Sequence, residues 1–253
     1  DFRRADFSRF MTEEGTNERI AKRMARAGLC SRREAERWIE AGRVKIDGKK
    51  VRTPATLVTA ETSITVDGNP VPGAEKTRMW RYHKPKGLIC TSNDPEGRKT
   101  IFDDLPTHLP RVLTVGRLDF NSEGLLLLTN DGELARKIEL PATGWSRRYR
   151  VRVHGAADMK KLERLARSVT VDGVRYGPIK AVFDRAQGAN SWLTLTLKEG
   201  KNREVRRVLE SIDLTVNRLI RTSFGPFQNG QLKPGEIEEI PGKVLREQMG
   251  DAD

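Results

Sequence analysis

Apolar positions first become periodic at Asn17. In NERIAKRMARAG, Ile20, Met24 and Ala27 share one face and Gly28 ends the run, which predicts a short amphipathic helix. SRREAERWIEAG starts a second: Ser31 and Glu34 have capping-box spacing, Ala35, Trp38 and Ile39 form the apolar face, and Gly42 stops it. RVKIDG and TSITVDG follow as short strands closed by Asp-Gly turns. Residues 17–68 are therefore expected to form one small unit. Residues 1–16 are polar and aperiodic, a mobile lead-in, and NPVPGAEKTR (69–78) has the composition of a linker.

The pattern then becomes strand-rich. MWRYH, LICTS, VLTVG, LLLLT, RYRVRVH, IKAVFD, WLTLTLK and VNRLIRT read as strands, with helices at DGELARKIEL, ADMKKLERLARS and NREVRRVLESI. Tyr149, Val151 and Val153 alternate with Arg148, Arg150 and Arg152, and Leu193, Leu195 and Leu197 alternate with Trp192, Thr194 and Thr196. One face of each strand is core and one is wet, so the sheet should be mixed and mainly antiparallel. The expected fold class is α+β, a small N-terminal unit before a larger domain at 79–245 with a tail at 246–253. In the last helix Val205, Val208, Leu209 and Ile212 mark the core face, leaving Arg203, Arg206 and Arg207 on the polar side.

Charge adds a partner class. The 253 residues carry 47 Lys plus Arg against 35 Asp plus Glu, a formal net charge of +12. Such an excess favours a polyanion, because each phosphate contact releases a condensed counterion. Arg19, Lys22, Arg23, Arg26, Arg32, Arg33 and Arg37 concentrate this charge on the first two helices. Cys30, Cys90 and three scattered histidines form neither a disulfide framework nor a metal-ligand spacing, which suggests a reducing, cytoplasmic setting and no metal. No run approaches the roughly 20 apolar residues of a membrane span, and no signal-peptide pattern opens the chain.

The candidate chemistry lies in GRLDFNSEGLLLLTNDGELARKI, residues 116–138. Asp119 occupies a Gly-bounded turn between VLTVG and LLLLT, the second of these a strand buried on both faces. An acid fixed between two core strands is pre-organised, as catalysis requires, although spacing alone makes such an Asp more often structural.

Two resemblances sharpen the reading. ERIAKRMARAGLCSRREAERWIEAGRVKIDGKKV resembles the S4 RNA-binding domain, which implies RNA contacts by the seven basic residues just named. GRLDFNSEGLLLLTNDG resembles the signature of the pseudouridine synthases, in the RsuA/RluB branch. KPKG (84–87), RRYRVRV, EGKNREVRR (199–207) and LIRTSFGP (219–226) match in order, so the resemblance covers about residues 17–240. Ser122 stands where Thr is more frequent and keeps the hydroxyl.

The resemblance implies isomerisation of a uridine in RNA without a cofactor. Asp119 would be the catalytic acid residue, attacking C1' or removing a proton from C2'. Tyr149 would stack on the uracil and assist at C5, Arg206 would clasp Asp119 with two hydrogen bonds, and Leu219 would cover the far side of the base. Arg117 would fill the space left by the extruded nucleotide, and Lys84, Arg203 and Arg207 would touch the RNA backbone. TSNDPEGRKTIFDDLP resembles the RluB group, implying large-subunit 23S rRNA, or a precursor large subunit, as the partner of a monomeric enzyme. Small-subunit rRNA, or a non-catalytic S4-type ribosome-assembly role, is the alternative.

Overall fold

A computed structural model describes residues 17–249 except Asn93 and Ala156; the expected lead-in (1–16) and residues 250–253 of the expected tail lie outside the described residues. The N-terminal unit packs α1 (Ile20–Arg26) and α2 (Arg32–Glu40) against a small antiparallel sheet that includes β1 (Val44–Ile46) and β2 (Ile64–Val66). Its core joins Ile20, Met24, Ala35 and Ile39 to Val44, Val58 and Ile64. Ser31 caps α2 as its spacing predicts: the Glu34 amide donates to Ser31 Oγ at 3.1 Å, and the Ser31 amide donates back to the Glu34 carboxylate at 3.5 Å. The first helix starts later than expected, because Glu18 and Arg19 are extended and pair with Val58 and Leu57.

The larger domain is built on one nine-stranded sheet. In chain order its elements are β3 (Met79–Lys84), β4 (Leu113–Val115), β5 (Ser122–Thr129), α3 (Gly132–Glu139), β6 (Arg147–His154), α4 (Met159–Arg164), β7 (Ile179–Gln187), β8 (Asn190–Leu197), α5 (Glu204–Glu210), β9 (Thr215–Phe224), β10 (Ile237–Glu239) and α6 (Gly242–Met249). The spatial order is β7-β8-β6-β9-β5-β3-β10, with β4 pairing β5 and Phe227–Gln228 pairing β9. The β9–β5 pair is parallel and its neighbours are antiparallel, giving the mixed sheet expected.

β5 is buried along its whole length. Leu126 and Leu128 enter one core, with Tyr149, Val151, Leu193 and Val208, while Leu125 and Leu127 enter another, with Met79, Ile138, Phe224 and Leu245. Helices α4 and α5 cover the first face, and α3 and α6 cover the β5–β3 half of the second. The four consecutive leucines thus serve two cores from one strand.

Three expectations change. LICTS is not a strand; Ile89 makes a single isolated bridge to Thr100. The tail boundary at 245/246 falls inside α6, whose Leu245 and Met249 are buried. The linker is fastened rather than free: Asn69 and Pro70 pair with β2, the Asn130 amide donates to Glu75 and to the Lys76 carbonyl, and the Thr77 hydroxyl donates to Asp131 at 2.8 Å. Among the described residues no helix is long and apolar enough to cross a membrane.

Candidate active site

The turn between β4 and β5 is held largely through its carbonyls. Gly116 takes a positive φ of 70°, and its amide donates to the Glu139 carboxylate at 2.6 Å. Leu118 exchanges hydrogen bonds with the Cys90 thiol, and the Ser122 amide closes onto the Asp119 carbonyl at 2.9 Å. Two cations then hold the turn from inside. Lys84 Nζ donates to the carbonyls of Asp119 (3.2 Å), Ser122 (3.0 Å), Pro85 (2.9 Å) and, at 3.5 Å, Phe120. The remaining carbonyl, that of Asn121, accepts from Arg206 at 3.1 Å, and the same guanidinium reaches the Val216 carbonyl at 3.3 Å. Charge-assisted bonds of this kind are stronger than neutral ones and matter most where water is excluded.

Both cations are therefore structural. Lys84 is fully buried, with desolvation holding its pKa below the ordinary lysine value. It does not touch the cleft, which corrects its expected role as an RNA contact. Arg206 forms no clasp with Asp119: its guanidinium runs beneath the turn to backbone oxygens, and burial lowers its pKa. Of the three arginines read as polar on α5, Arg206 is buried, Arg207 half-buried and Arg203 exposed. Arg203 also sits at φ +51°, so the helix begins at Glu204 rather than at Asn202.

The Asp119 carboxylate has no hydrogen bond or ion pair to any described residue and lines a cleft of about 520 Å³. Arg117, Tyr149, Leu219 and Arg203 line it too, so five of the residues singled out in the sequence meet there. Tyr149 and Leu219 are 8% and 5% exposed, leaving one edge of each at the cleft wall. A larger neighbouring cavity of about 690 Å³, between residues 101–114 and α3, contains neither Asp119 nor Tyr149.

The cleft holds residues that sequence reasoning passed over: Arg147, Arg221, Lys201 and Glu204. Arg221 pairs across the sheet with Tyr149; its Nε donates to the Leu125 carbonyl at 2.8 Å, while one terminal nitrogen is buried without a partner. Arg147 lies 4.6 Å from the Phe224 ring centroid, and desolvation lowers its pKa. A signal for both was present, since Arg147 shares the parity of Tyr149, Val151 and Val153, and Arg221 that of Leu219. A charge at core parity has to be held for a reason. Glu204 is nearly buried, and burial, reinforced by Glu199, raises its carboxyl to about 7.

The seven basic residues of the N-terminal unit divide. Lys22 pairs with Glu133 at 2.6 Å and with Glu18, Arg26 also meets Glu18, and buried Arg23 donates to the Pro72 carbonyl. Arg19, Arg32, Arg33 and Arg37 are exposed and make no ion pair among the described residues. Nor does any cluster of three His, Cys, Asp or Glu with metal-site geometry occur among them.

An unpaired carboxylate that shares a cleft with a tyrosine and several arginines suits a planar base carried on a phosphate backbone. Residues 78–211 match the family model described as RNA pseudouridylate synthase, and residues 18–71 match the S4 domain. The chain belongs to the RNA pseudouridylate synthases. This pseudouridine synthase is 44% identical to ribosomal large subunit pseudouridine synthase B of Escherichia coli (strain K12) over 243 residues, covering 91% of this chain and 83% of that protein. It is 46% identical to an RNA pseudouridine synthase of Rickettsia prowazekii over 231 residues, 91% of this chain and 97% of that one. A crystal structure of a pseudouridylate synthase shares its fold, with a TM-score of 0.63 and 24% identity over 91% of this chain and 99% of that one.

Proposed function

We propose that this enzyme isomerises a uridine of large-subunit ribosomal RNA to pseudouridine, with Asp119 as the reacting carboxylate. The bond between C1' and N1 breaks, the uracil turns within the cleft, and C5 joins C1'; the hydrogen leaves C5 and N1 gains one, so the change is an isomerisation. The observation that carries the proposal is the free Asp119 carboxylate on a turn whose carbonyls from Leu118 to Ser122 are all occupied. Such a group costs no reorganisation when substrate arrives. It can attack C1', as a glycosidase nucleophile does, or take the proton of C2'.

Tyr149 and Leu219 grip the two faces of the base, Arg117 enters the space it vacates on leaving the stack, and Arg203 with Arg207 meets the phosphates. Arg19, Arg32, Arg33 and Arg37 supply the remote RNA contacts. The cleft is complete within one chain, which supports a monomer acting in the cytoplasm on rRNA or on a precursor particle. The similarity to a large-subunit enzyme supports that substrate over small-subunit rRNA. The test is Asp119→Asn: pseudouridine formation on large-subunit rRNA should vanish while RNA affinity stays within about threefold, because the exchange removes no cation. Turnover by Asp119→Asn would overturn the role of the carboxylate, and wild-type turnover confined to small-subunit rRNA would overturn the substrate.

A further inference from the structure

The sheet has a second open surface, on the side away from the cleft. Tyr149, Val151 and Val153 point to the cleft-side core, so Arg148, Arg150 and Arg152 project from the opposite face of β6. Helices α3 and α6 cover that face only over β5 and β3, and its β6–β8–β7 part stays open to solvent. Register places Lys180 and Thr196 beside Arg148, Val182 and Thr194 beside Arg150, and Arg185 and Trp192 beside Arg152. The result is a flat field with five cations, Arg148, Arg150, Arg152, Lys180 and Arg185, none in an ion pair among the described residues.

Among the described residues the acids nearby pair with none of these five cations, and the Asp184 carboxylate is the one negative charge set among them by its bond to Thr194. Asp184 accepts from the Thr194 hydroxyl at 2.9 Å, and Glu123 is held by Nε and one terminal nitrogen of Arg218 and by Lys86. A wet sheet face needs only mixed polarity to stay soluble, and mixed signs placed opposite one another would stabilise it. Here the field is almost all of one sign. Arg150 is further ordered by stacking over Trp192 at 4.8 Å, and Arg152 Nε is buried with no hydrogen-bond partner. Alternate residues of a strand lie about 6.6 Å apart, so the three arginines make a row about 13 Å long.

We propose that this face is a second RNA-binding surface, contacting the phosphate backbone of a segment other than the one that fills the cleft. The inference rests on the reading that the substrate is a long structured rRNA, whose length lets one molecule reach both sides of the domain. The contact carries no base specificity; it contributes affinity and orientation.

The experiment compares the shortest hairpin that the wild type converts with a long large-subunit rRNA fragment containing it, using full-length protein. The variant is Arg148→Gln/Arg150→Gln/Lys180→Gln. Affinity for the long RNA should fall about tenfold at low salt, with the slope of log K against log salt shallower by about 2 to 3, while hairpin affinity and turnover stay unchanged. Arg148→Lys/Arg150→Lys should restore long-RNA binding, since the charge remains. Unchanged long-RNA affinity overturns the proposal, and so does an equal loss on both RNAs that the lysine variant fails to restore. Failure of the underlying reading would look different: the wild type itself would convert neither RNA.

Discussion

The turn that carries Asp119 and the two helices of the S4 unit are both organised by cations, for opposite ends. At the turn Lys84 and Arg206 are buried and spent on backbone carbonyls. On the S4 helices Arg32, Arg33 and Arg37 are exposed and unspent. A buried positive charge needs hydrogen bonds to offset its desolvation, and those bonds fix geometry. An exposed charge fixes little but remains available to a polyanion. Burial, not residue type, separates the cations engaged with backbone carbonyls from those left exposed.

The largest effect expected from that contrast is at Lys84. Lys84→Met strips the charged donor from the carbonyls of Asp119, Ser122 and Pro85, leaving Asp119 only the Ser122 amide, a loss of about 3 kcal/mol in stability. It should also lower kcat at least about 100-fold through displacement of the carboxylate, with RNA affinity nearly unchanged. Denaturant unfolding and single-turnover rates measure the two parts. A variant with normal kcat and weakened RNA binding would return Lys84 to the rim.

Arg206 should come next. Arg206→Ala removes the donor to Asn121 in the turn and to Val216 beneath it, so kcat should fall about 10- to 100-fold while KM changes little. Arg206→Lys should recover only part, because one ammonium cannot span the carbonyls of Asn121 and Val216 as the guanidinium does. Arg207→Ala should act on affinity instead, and less so at high salt. Equal losses in the chemical step for Arg206→Ala and Arg207→Ala would erase the distinction between the two sides of α5.

These cases also show what the sequence could and could not reveal. Periodicity located most elements because most strands and helices have one wet side, and the four leucines of β5 announced a strand between two cores. The turn that carries Asp119 was legible as a motif. Its support was not, since Lys84, Cys90, Glu139 and Arg206 reach it from elements far apart in the chain. Arg206 seemed the natural partner for a lone acid, yet tertiary packing carried its guanidinium beneath the turn. Gly124 was equally silent: it takes φ +98°, and a Cβ there would collide with the backbone of Arg221 where β5 meets β9. LICTS failed as a strand because, among the described residues, its strand pairing is limited to the bridge between Ile89 and Thr100.

A smaller effect concerns Glu204, where burial works on an acid. Its carboxyl is raised from the ordinary 4.5 to about 7, so the native state keeps a proton that the unfolded chain releases. Stability from this group is full below about pH 4.5, declines as pH rises toward 7 and is spent above it. Glu204→Gln fixes the neutral form and should flatten that decline, adding on the order of 1 to 2 kcal/mol relative to wild type at pH 8. Chemical denaturation at pH 5 and pH 8 measures the difference, and an identical pH slope in both proteins would contradict the assignment.

The smallest effects should lie on the S4 helices, where single exposed arginines contribute little individually. Each of Arg32→Ala, Arg33→Ala and Arg37→Ala should weaken rRNA binding only severalfold and make the salt slope shallower by about 0.7 to 0.9, the release of one counterion. Melting temperature should not move, since none of the three is in an ion pair among the described residues. Lys22→Ala should show the reverse pattern. Its ammonium lies 2.6 Å from Glu133 of the catalytic domain and near Glu18, so the loss should appear as a slightly lower melting temperature with little change in salt slope. The expected cost is below about 1 kcal/mol, because both partners retain some solvent exposure. If Lys22→Ala flattened the salt dependence as much as Arg33→Ala does, the pair with Glu133 would have to open on RNA binding, and the division between spent and unspent cations would hold only for the free enzyme.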